Sequence, residues 1–162
     1  MDQANILTGV KTTKEQNELI NLIEKLIENN FKKSFAPNDE ILNSGTTRKL
    51  WEGVSAALIA GNISEDQKER EKFLDSLLSK VRSQNKLKVT IAIEPNNKLL
   101  ERLRDWTGKN LSGNTILDIT VDPQILGGAI IVSSNGEYAD FSLFKRINDL
   151  FLTRKQEILS LL

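Results

Sequence analysis

The chain has 162 residues, and its 22 basic and 22 acidic side chains give a formal net charge of zero. Cysteine and histidine are both absent, which excludes disulfide bonds, Cys/His zinc sites, catalytic cysteines and any catalysis that needs a histidine base. No apolar run approaches the roughly 20 residues that cross a bilayer, and the first residues do not resemble a signal peptide. We therefore expect a soluble protein that is not a Cys/His metalloenzyme.

The N-terminal half shows the hydrophobic period of amphipathic helices. The first 12 residues lack any period and are expected to form a loose tail. We interpret Thr13 and Ser64 as helix N-caps within capping boxes, and Gly61 as a left-handed residue at a helix end. Three such helices joined by short links predict a small bundle over residues 1–85. Apolar residues at three- and four-residue intervals place these helices at Thr13–Asn29, Thr46–Ala60 and Ser64–Arg82.

The C-terminal half begins where the hydrophobic period changes to two. Leu87, Val89 and Ile91 alternate with more polar residues and predict a strand with one buried face. A helix around Leu99–Trp106 follows, and Asn135-Gly136 is typical of a type I′ turn. Residues 86–162 therefore predict a β-α-β-β-α module, which places the whole chain in the α+β class. The remaining elements are strands at Leu117–Val121 and Ala129–Val132 and a final helix at Phe141–Leu162.

A local excess of positive charge covers residues 80–109, which hold eight basic and three acidic side chains. Modules that bind nucleic acids usually combine such a zone with exposed aromatic side chains that stack on bases. The nearby aromatic residue is Trp106, and its spacing from Leu99 and Leu103 assigns it to the core. We interpret the zone as a solvated or partner-facing surface. A small RNA- or DNA-binding α+β module remains the alternative function.

The C-terminal half offers one glycine pair and four carboxylates as candidates for chemistry. Gly127-Gly128 precedes a strand and lacks the spacing of a phosphate-binding loop, so we interpret the pair as a bend or a close backbone approach. Asp122 before Pro123 is typical of a turn, and Asp140 is typical of a helix cap. No spacing selects an acid/base pair, so we assign no catalytic, cofactor-binding or metal-binding residue among Asp118, Asp122, Glu137 and Asp140.

These residues also form an ordered motif. Asp122-Pro123 is followed by Gly127-Gly128 and an apolar strand, and Asp140-Phe141-Ser142 then opens the final helix. The set resembles the C-terminal motif of the delta subunit of F-type ATP synthases, the family of the oligomycin-sensitivity-conferring protein. The resemblance covers about residues 87–150. The first half is shorter than the six-helix bundle usual in that family, so the resemblance implies a divergent or shortened bundle.

The resemblance implies a peripheral-stalk subunit of the rotary proton-translocating ATP synthase, which is not an enzyme itself and needs no cofactor or metal ion. It further implies two docking surfaces: an N-terminal bundle for the alpha-subunit N-termini, and a C-terminal module for b-subunit helices. Such a subunit lies at the cytoplasmic face of the cell membrane, peripheral to the bilayer, and has no nucleic-acid partner. Its structural motif would consist of Asp122, Pro123, Gly127, Gly128, Asp140 and Ser142.

The final helix is predicted to provide part of the partner surface. At about 1.5 Å per residue it would be ~32 Å long, whereas strands of this module would be only ~17–23 Å long at about 3.3 Å per residue. Its end therefore projects beyond the sheet with apolar side chains that are expected to meet a partner helix. The alternative is that the N-terminal bundle buries them within the same chain. The candidate partner-binding residues are Phe151, Ile158, Leu161 and Leu162.

Overall fold

A computed structural model describes residues 3–30, 37, 42, 44–61, 63, 66–111 and 115–159, without the side chains of 3–5 and 156–159. The chain divides into two compact units: residues 1–85 with 112–116, and residues 86–111 with 117–162. Helices come first and a mixed sheet with further helices follows, which confirms the α+β class. The elements are α1 Gln3–Gly9, α2 Thr13–Asn29, α3 Gly45–Ala60, α4 Gln67–Arg82, β1 Lys86–Ile91, α5 Asn97–Asn110, β2 Ile116–Val121, a 3-10 helix Pro123–Ile125, β3 Ala129–Ser133, β4 Tyr138–Asp140 and α6 Leu143–Leu159.

The helical unit is built around α2, which packs against both α3 and α4. Its apolar stripe faces inward because residues three and four apart lie on one side of a helix. The Gln16 side chain is buried with this stripe. Its Nε2 donates to the Val81 carbonyl over 2.6 Å, so the buried amide nitrogen keeps a hydrogen-bond partner. The fully buried members of the core include Leu19, Leu22, Ile23, Leu26, Val54, Leu74, Leu77 and Val81.

The N-terminal tail departs from the prediction. Residues 3–9 form α1 rather than a loose segment, and Ile6, Leu7 and Val10 are buried in the core of the helical unit. A helix of seven residues is too short for a hydrophobic period to be recognised and is unstable alone in water. Packing against α3 stabilises it, so its existence depends on tertiary contacts that a local pattern does not contain.

Three predicted helix ends differ in detail. The capping box of α2 uses Thr12 and Glu15, one residue before the predicted pair: Thr12 Oγ1 accepts from Glu15 N, and Glu15 Oε2 accepts from Thr12 N. At the end of α3, Gly61 has φ −80°, so it is right-handed and not the predicted left-handed residue. Asp66 is the N-cap of α4, and Ser64 lies outside the described residues.

The second unit contains a four-stranded sheet in the order β2-β1-β3-β4. Backbone bonds of 2.8 Å join Ile116 N to Asn85 O and Asp122 N to Ile91 O. From the first bond to the second, the bonded residue moves toward the C-terminus in both strands, so β2 runs parallel to β1. Parallel neighbours need a crossover connection, and α5 provides it. β3 is antiparallel to both β1 and β4.

The fourth strand was not predicted. β4 has three residues, too few for alternation to be detected, and it pairs with β3 in a hairpin. The turn between them is also different from the predicted type I′ turn, because only Gly136 has a positive φ, +86°. Gly136 N donates to Ser133 O, the pattern of a type I turn followed by a left-handed glycine.

Helix α5 covers one face of the sheet, but Trp106 does not lie on the side of α5 that faces the sheet. Leu99 and Leu103 pack against the β1 side chains, whereas Trp106 is 45% exposed. The buried residue of the last turn is Thr107, at 3% exposure. Leu99, Leu103 and Thr107 follow a four-residue spacing, so the buried row drifts away from Trp106. The prediction of a core tryptophan is wrong.

None of the described helices combines the length and the apolar character that a bilayer-spanning segment requires.

Candidate functional site

The chain leaves β2 through a tight turn at residues 122–126, here called the Asp-Pro turn. The Asp122 carboxylate accepts from Gln124 N over 2.9 Å, and Pro123 begins the single turn of 3-10 helix. Proline suits this position because it has no N–H to satisfy and its φ is already fixed. Ile125 is buried, and Leu126 has a left-handed backbone with φ 61°. The turn therefore reverses the chain and delivers it to Gly127 and Gly128.

The two glycines after the turn have different surroundings. Gly128 has φ +78°, and a Cβ atom placed on it would overlap the Phe141 carbonyl oxygen and lie 3.2 Å from Ser142 Cα. A Cβ atom on Gly127 would make only an ordinary contact, 3.6 Å from Leu143 Cβ. Gly128 is therefore required by both backbone conformation and space, whereas neither requirement applies to Gly127.

Backbone bonds tie this glycine segment to the start of α6. Gly127 O accepts from Leu143 N over 2.8 Å, and Ala129 O accepts from Phe141 N over 2.8 Å. We call the residues that meet here, 127–129 and 141–143, the glycine clasp. The Leu143 N–H is one of the first helical donors, which have no partner inside the helix. The clasp thus satisfies a helix terminus and fixes where α6 leaves the sheet.

The last motif residues cap α6. Ser142 is 2% exposed, and its hydroxyl oxygen accepts from Lys145 N over 3.1 Å. The Asp140 carboxylate accepts from Ser142 N over 2.8 Å and from the Tyr138 hydroxyl over 3.1 Å. The hydrogen bonds from the Ser142 side chain and backbone lower the pKa of Asp140 below its ordinary value, and the bond to Asp140 raises the pKa of Tyr138.

One side of α6 exposes an apolar surface, here called the α6 apolar face. At about 100° per residue its members fall within an arc of roughly 120°, and they are between 37% and 71% exposed. The opposite side carries the ion pair Lys145–Asp149, with 3.3 Å between Nζ and Oδ2. Its contiguous exposed apolar side chains make this face the candidate interaction surface. Its residues are Leu143, Phe144, Ile147, Leu150 and Phe151.

The predicted partner residues fall only partly within the described structure. Phe151 belongs to the α6 apolar face and is 71% exposed. Ile158 lies in α6, but its side chain is outside the described residues, as are Leu161 and Leu162 entirely. Sequence reasoning missed the exposure of the first turns of α6, because a hydrophobic period does not say which neighbour covers the stripe.

The carboxylates considered for chemistry are not brought together as ligands. Among the described residues, no group of three carboxylates is placed to hold a metal ion. Asp122 and Asp140 each bond to backbone N–H groups at the start of a helical segment, the usual use of such residues. Both carboxylates thus serve the local backbone structure of the turn and of the start of α6.

We expect Gly128→Ala to destabilise the protein much more than Gly127→Ala. A side chain at Gly128 must adopt a strained φ and displace the Phe141 carbonyl, which should lower the free energy of unfolding by roughly 1–3 kcal/mol. Gly127→Ala, the matched control, should change it by less than about 1 kcal/mol. Urea titration of both variants gives the comparison. Equal losses would contradict the role assigned to the positive φ.

The cap at Asp140 should give an acid-dependent contribution to stability. Its folded-state pKa lies below the ordinary value of 3.8, so the ionised form favours the folded state above that pH, and the contribution is lost as the pH falls through the folded-state pKa. We expect the melting temperature of wild type to exceed that of Asp140→Asn between pH 7 and about pH 5, and the two melting temperatures to converge below about pH 4. Thermal unfolding is followed by circular dichroism. A difference in melting temperature that stays constant down to pH 3 would contradict this account.

Residues 68–152 match the family model of the ATP synthase delta (OSCP) subunit. A curated relative, the ATP synthase subunit delta of Azorhizobium caulinodans, is 41% identical over 80 residues, which cover 46% of this chain and 40% of that protein. The chain thus matches well under two thirds of the relative's length. The family match spans more than half of the chain and contains the Asp-Pro turn, the glycine clasp and the α6 apolar face. The resemblance is confirmed, and the chain belongs to the ATP synthase delta (OSCP) subunit family.

Proposed function

We propose that this chain is a non-catalytic stator subunit in the peripheral stalk of a rotary proton-translocating ATP synthase, where it links the catalytic head to membrane-anchored b subunits. Family membership supports the assignment to this complex. The observation that carries the linking role is the α6 apolar face, because five large apolar side chains in one arc are left open to solvent. In this role the chain needs no cofactor, and it lies peripheral to the membrane at its cytoplasmic face.

The α6 apolar face suits a helical partner. Its residues repeat at three- and four-residue intervals, which creates ridges that fit the grooves of a second helix. Burial of such side chains stabilises a complex by roughly 25 cal/mol per Å² of apolar area, before the costs of association. A b-subunit helix laid along α6 would cover Leu143 at one end and Phe151 two turns later.

A stator must hold its docking helix in a fixed direction. The glycine clasp supports this requirement because two backbone hydrogen bonds, one from Leu143 N in α6 and one from Phe141 N just before it, hold the start of the helix against the segment that leads into β3. The buried Ser142 cap adds a third bond at the same helix end. Force applied through the α6 apolar face would therefore pass directly into β3, which pairs with β1 inside the sheet.

The helical unit would provide the second docking surface, for the alpha-subunit N-termini. It contains a groove along α2 that reaches α3 at Thr47 and includes Glu18, Leu22 and Lys25. Thr47 donates to Glu18 across this groove over 3.5 Å. The lining is mostly polar and charged, with Leu22 as its apolar member, so the groove is suited to a segment that brings polar side chains as well as an apolar one.

We expect the double variant Leu150→Ser/Phe151→Ser to lose binding to b while it keeps its fold. Both side chains are more than 60% exposed, so their removal should change the free energy of unfolding by less than about 1 kcal/mol. The control is Leu152→Ser, which alters a 54% exposed leucine roughly 180° away from Leu143 on α6. Binding is measured by calorimetry with the extramembrane segment of b, alongside thermal denaturation.

Equal binding by the double variant and Leu152→Ser would contradict the proposed docking face. A large loss of thermal stability in the double variant would also contradict it, because that result would place the face in a core. Absence of any binding between wild type and b would remove the linking role itself.

The alternative function, a small RNA- or DNA-binding module, has one observation in its favour. Trp106 is 45% exposed, and basic side chains, Arg102 and Lys109, are exposed on the same helix. An exposed aromatic ring beside cations is the combination that stacks on bases. Lys86 and Lys88 are also exposed, on the face of β1 opposite to α5. The cationic groups thus lie on different sides of the sheet, which favours a non-specific contact at most.

Titration of labelled single-stranded RNA at about 150 mM salt tests this alternative. We expect wild type to bind weakly, with no further loss when Trp106 is changed to Ala, because few phosphates can be contacted at once. Tight binding that depends on Trp106, Arg102 and Lys109 would instead favour the nucleic-acid function. The Lys86→Ser/Lys88→Ser variant is the control for general electrostatic attraction.

A further inference from the structure

One charged residue, Arg154, continues the α6 apolar face about one turn beyond Phe151, within the same arc around the helix. At about 100° per residue, Arg154 lies roughly 20° from Leu143 and roughly 20° from Ile147 around the helix. Its side chain is exposed, and the ion pairs found among the described residues do not include it. A guanidinium at this place would be covered together with the apolar residues when a partner docks.

The spacing along α6 indicates the form of the partner. Phe144, Ile147, Phe151 and Arg154 are separated by three, four and three residues, which is the repeat of the core positions in a coiled coil. In such seams a single polar residue at a core position specifies register and partner at a cost in stability. Arg154 occupies that kind of position.

We infer that Arg154 is a specificity-determining residue of α6 and that the partner helix places a carboxylate opposite it. The inference rests on the proposed docking role of α6 and names the chemistry of its partner. A buried guanidinium without an acidic partner is strongly unfavourable, whereas its planar donors fit a carboxylate in a bidentate pair. A partner with a purely apolar stripe, or a second copy with Arg154 facing itself, would therefore be rejected.

An anionic lipid surface fits the geometry less well. Helices that lie in a membrane interface carry their basic residues on the polar side and apolar residues on the other. Arg154 lies inside the apolar arc instead, while the side opposite to it carries the Lys145–Asp149 pair. The arrangement favours a protein helix with one acidic core position.

The test uses the full chain and the extramembrane segment of b, with the variants Arg154→Glu and Arg154→Leu. Lys145→Glu is the matched control, since it makes the same charge change about 180° away on the same helix. We expect Arg154→Glu to weaken binding about 10-fold or more, and Lys145→Glu to stay within about twofold of wild type. Arg154→Leu should also weaken binding, though less than Arg154→Glu, because the partner's carboxylate is then buried without a cation, and the dependence of its Kd on salt should fall.

A pair of synthetic helical peptides separates the failure of this inference from that of the proposed function. The peptides have four heptads with leucine at the core positions, except for one core position that is Glu in the first and Lys in the second. Wild type should prefer the Glu peptide, and Arg154→Glu should prefer the Lys peptide. If b does not bind but this reversal is seen, the stalk role fails and the inference stands.

Other outcomes overturn the inference. Where b binds, equal affinities of Arg154→Glu and Lys145→Glu would leave the stalk role intact and remove Arg154 as a determinant of specificity. Where b does not bind, the lack of any preference between the two peptides would remove Arg154 as a determinant of specificity as well as the stalk role. Tighter binding to vesicles of anionic lipid than to any helix, or self-association of wild type that Phe151→Ser abolishes, would assign the α6 apolar face to another occupant.

Discussion

The direction of α6 depends on one close approach between two backbone segments. The Phe141 carbonyl lies where a Cβ atom of residue 128 would be, so the strand entering β3 and the chain leaving β4 can meet only if that residue is glycine with a positive φ. The two hydrogen bonds of the glycine clasp follow from this approach. The Asp-Pro turn, the Ser142 cap and the exposed side of α6 are all arranged around it.

Each unit has a core of its own, and this explains how the second unit can leave α6 uncovered. Leu87, Val89 and Ile91 pack with apolar residues of α5, β2 and β3, and no α6 side chain that the structure describes belongs to this cluster. The α6 apolar face therefore does not contribute to the core of its unit and can be kept for another molecule. The clasp and the cap satisfy backbone donors at the start of α6.

The sequence predicts most elements because their signals are local. The period-3.6 stripe of α2 and the alternation of β1 match the structure, and the final helix is present, although it begins at Leu143 after the Ser142 cap and not at the predicted Phe141. The failures concern information that is not local. α1 and β4 are too short to show a period, the exposure of Trp106 depends on how α5 lies on the sheet, and the openness of α6 depends on the clasp.

The sheet order has a kinetic consequence for folding. β3 and β4 are joined by a short turn, whereas β1 must pair with β3 across a long stretch of chain and with β2 across α5. Closing such loops costs conformational entropy before the strand contacts offset it. The β3–β4 hairpin and the backbone bonds at Gly127 join residues close in sequence, so the anchor of α6 can form while the central strand is still unpaired. We therefore expect the hairpin to form before β1 pairs with β3 during folding of the second unit.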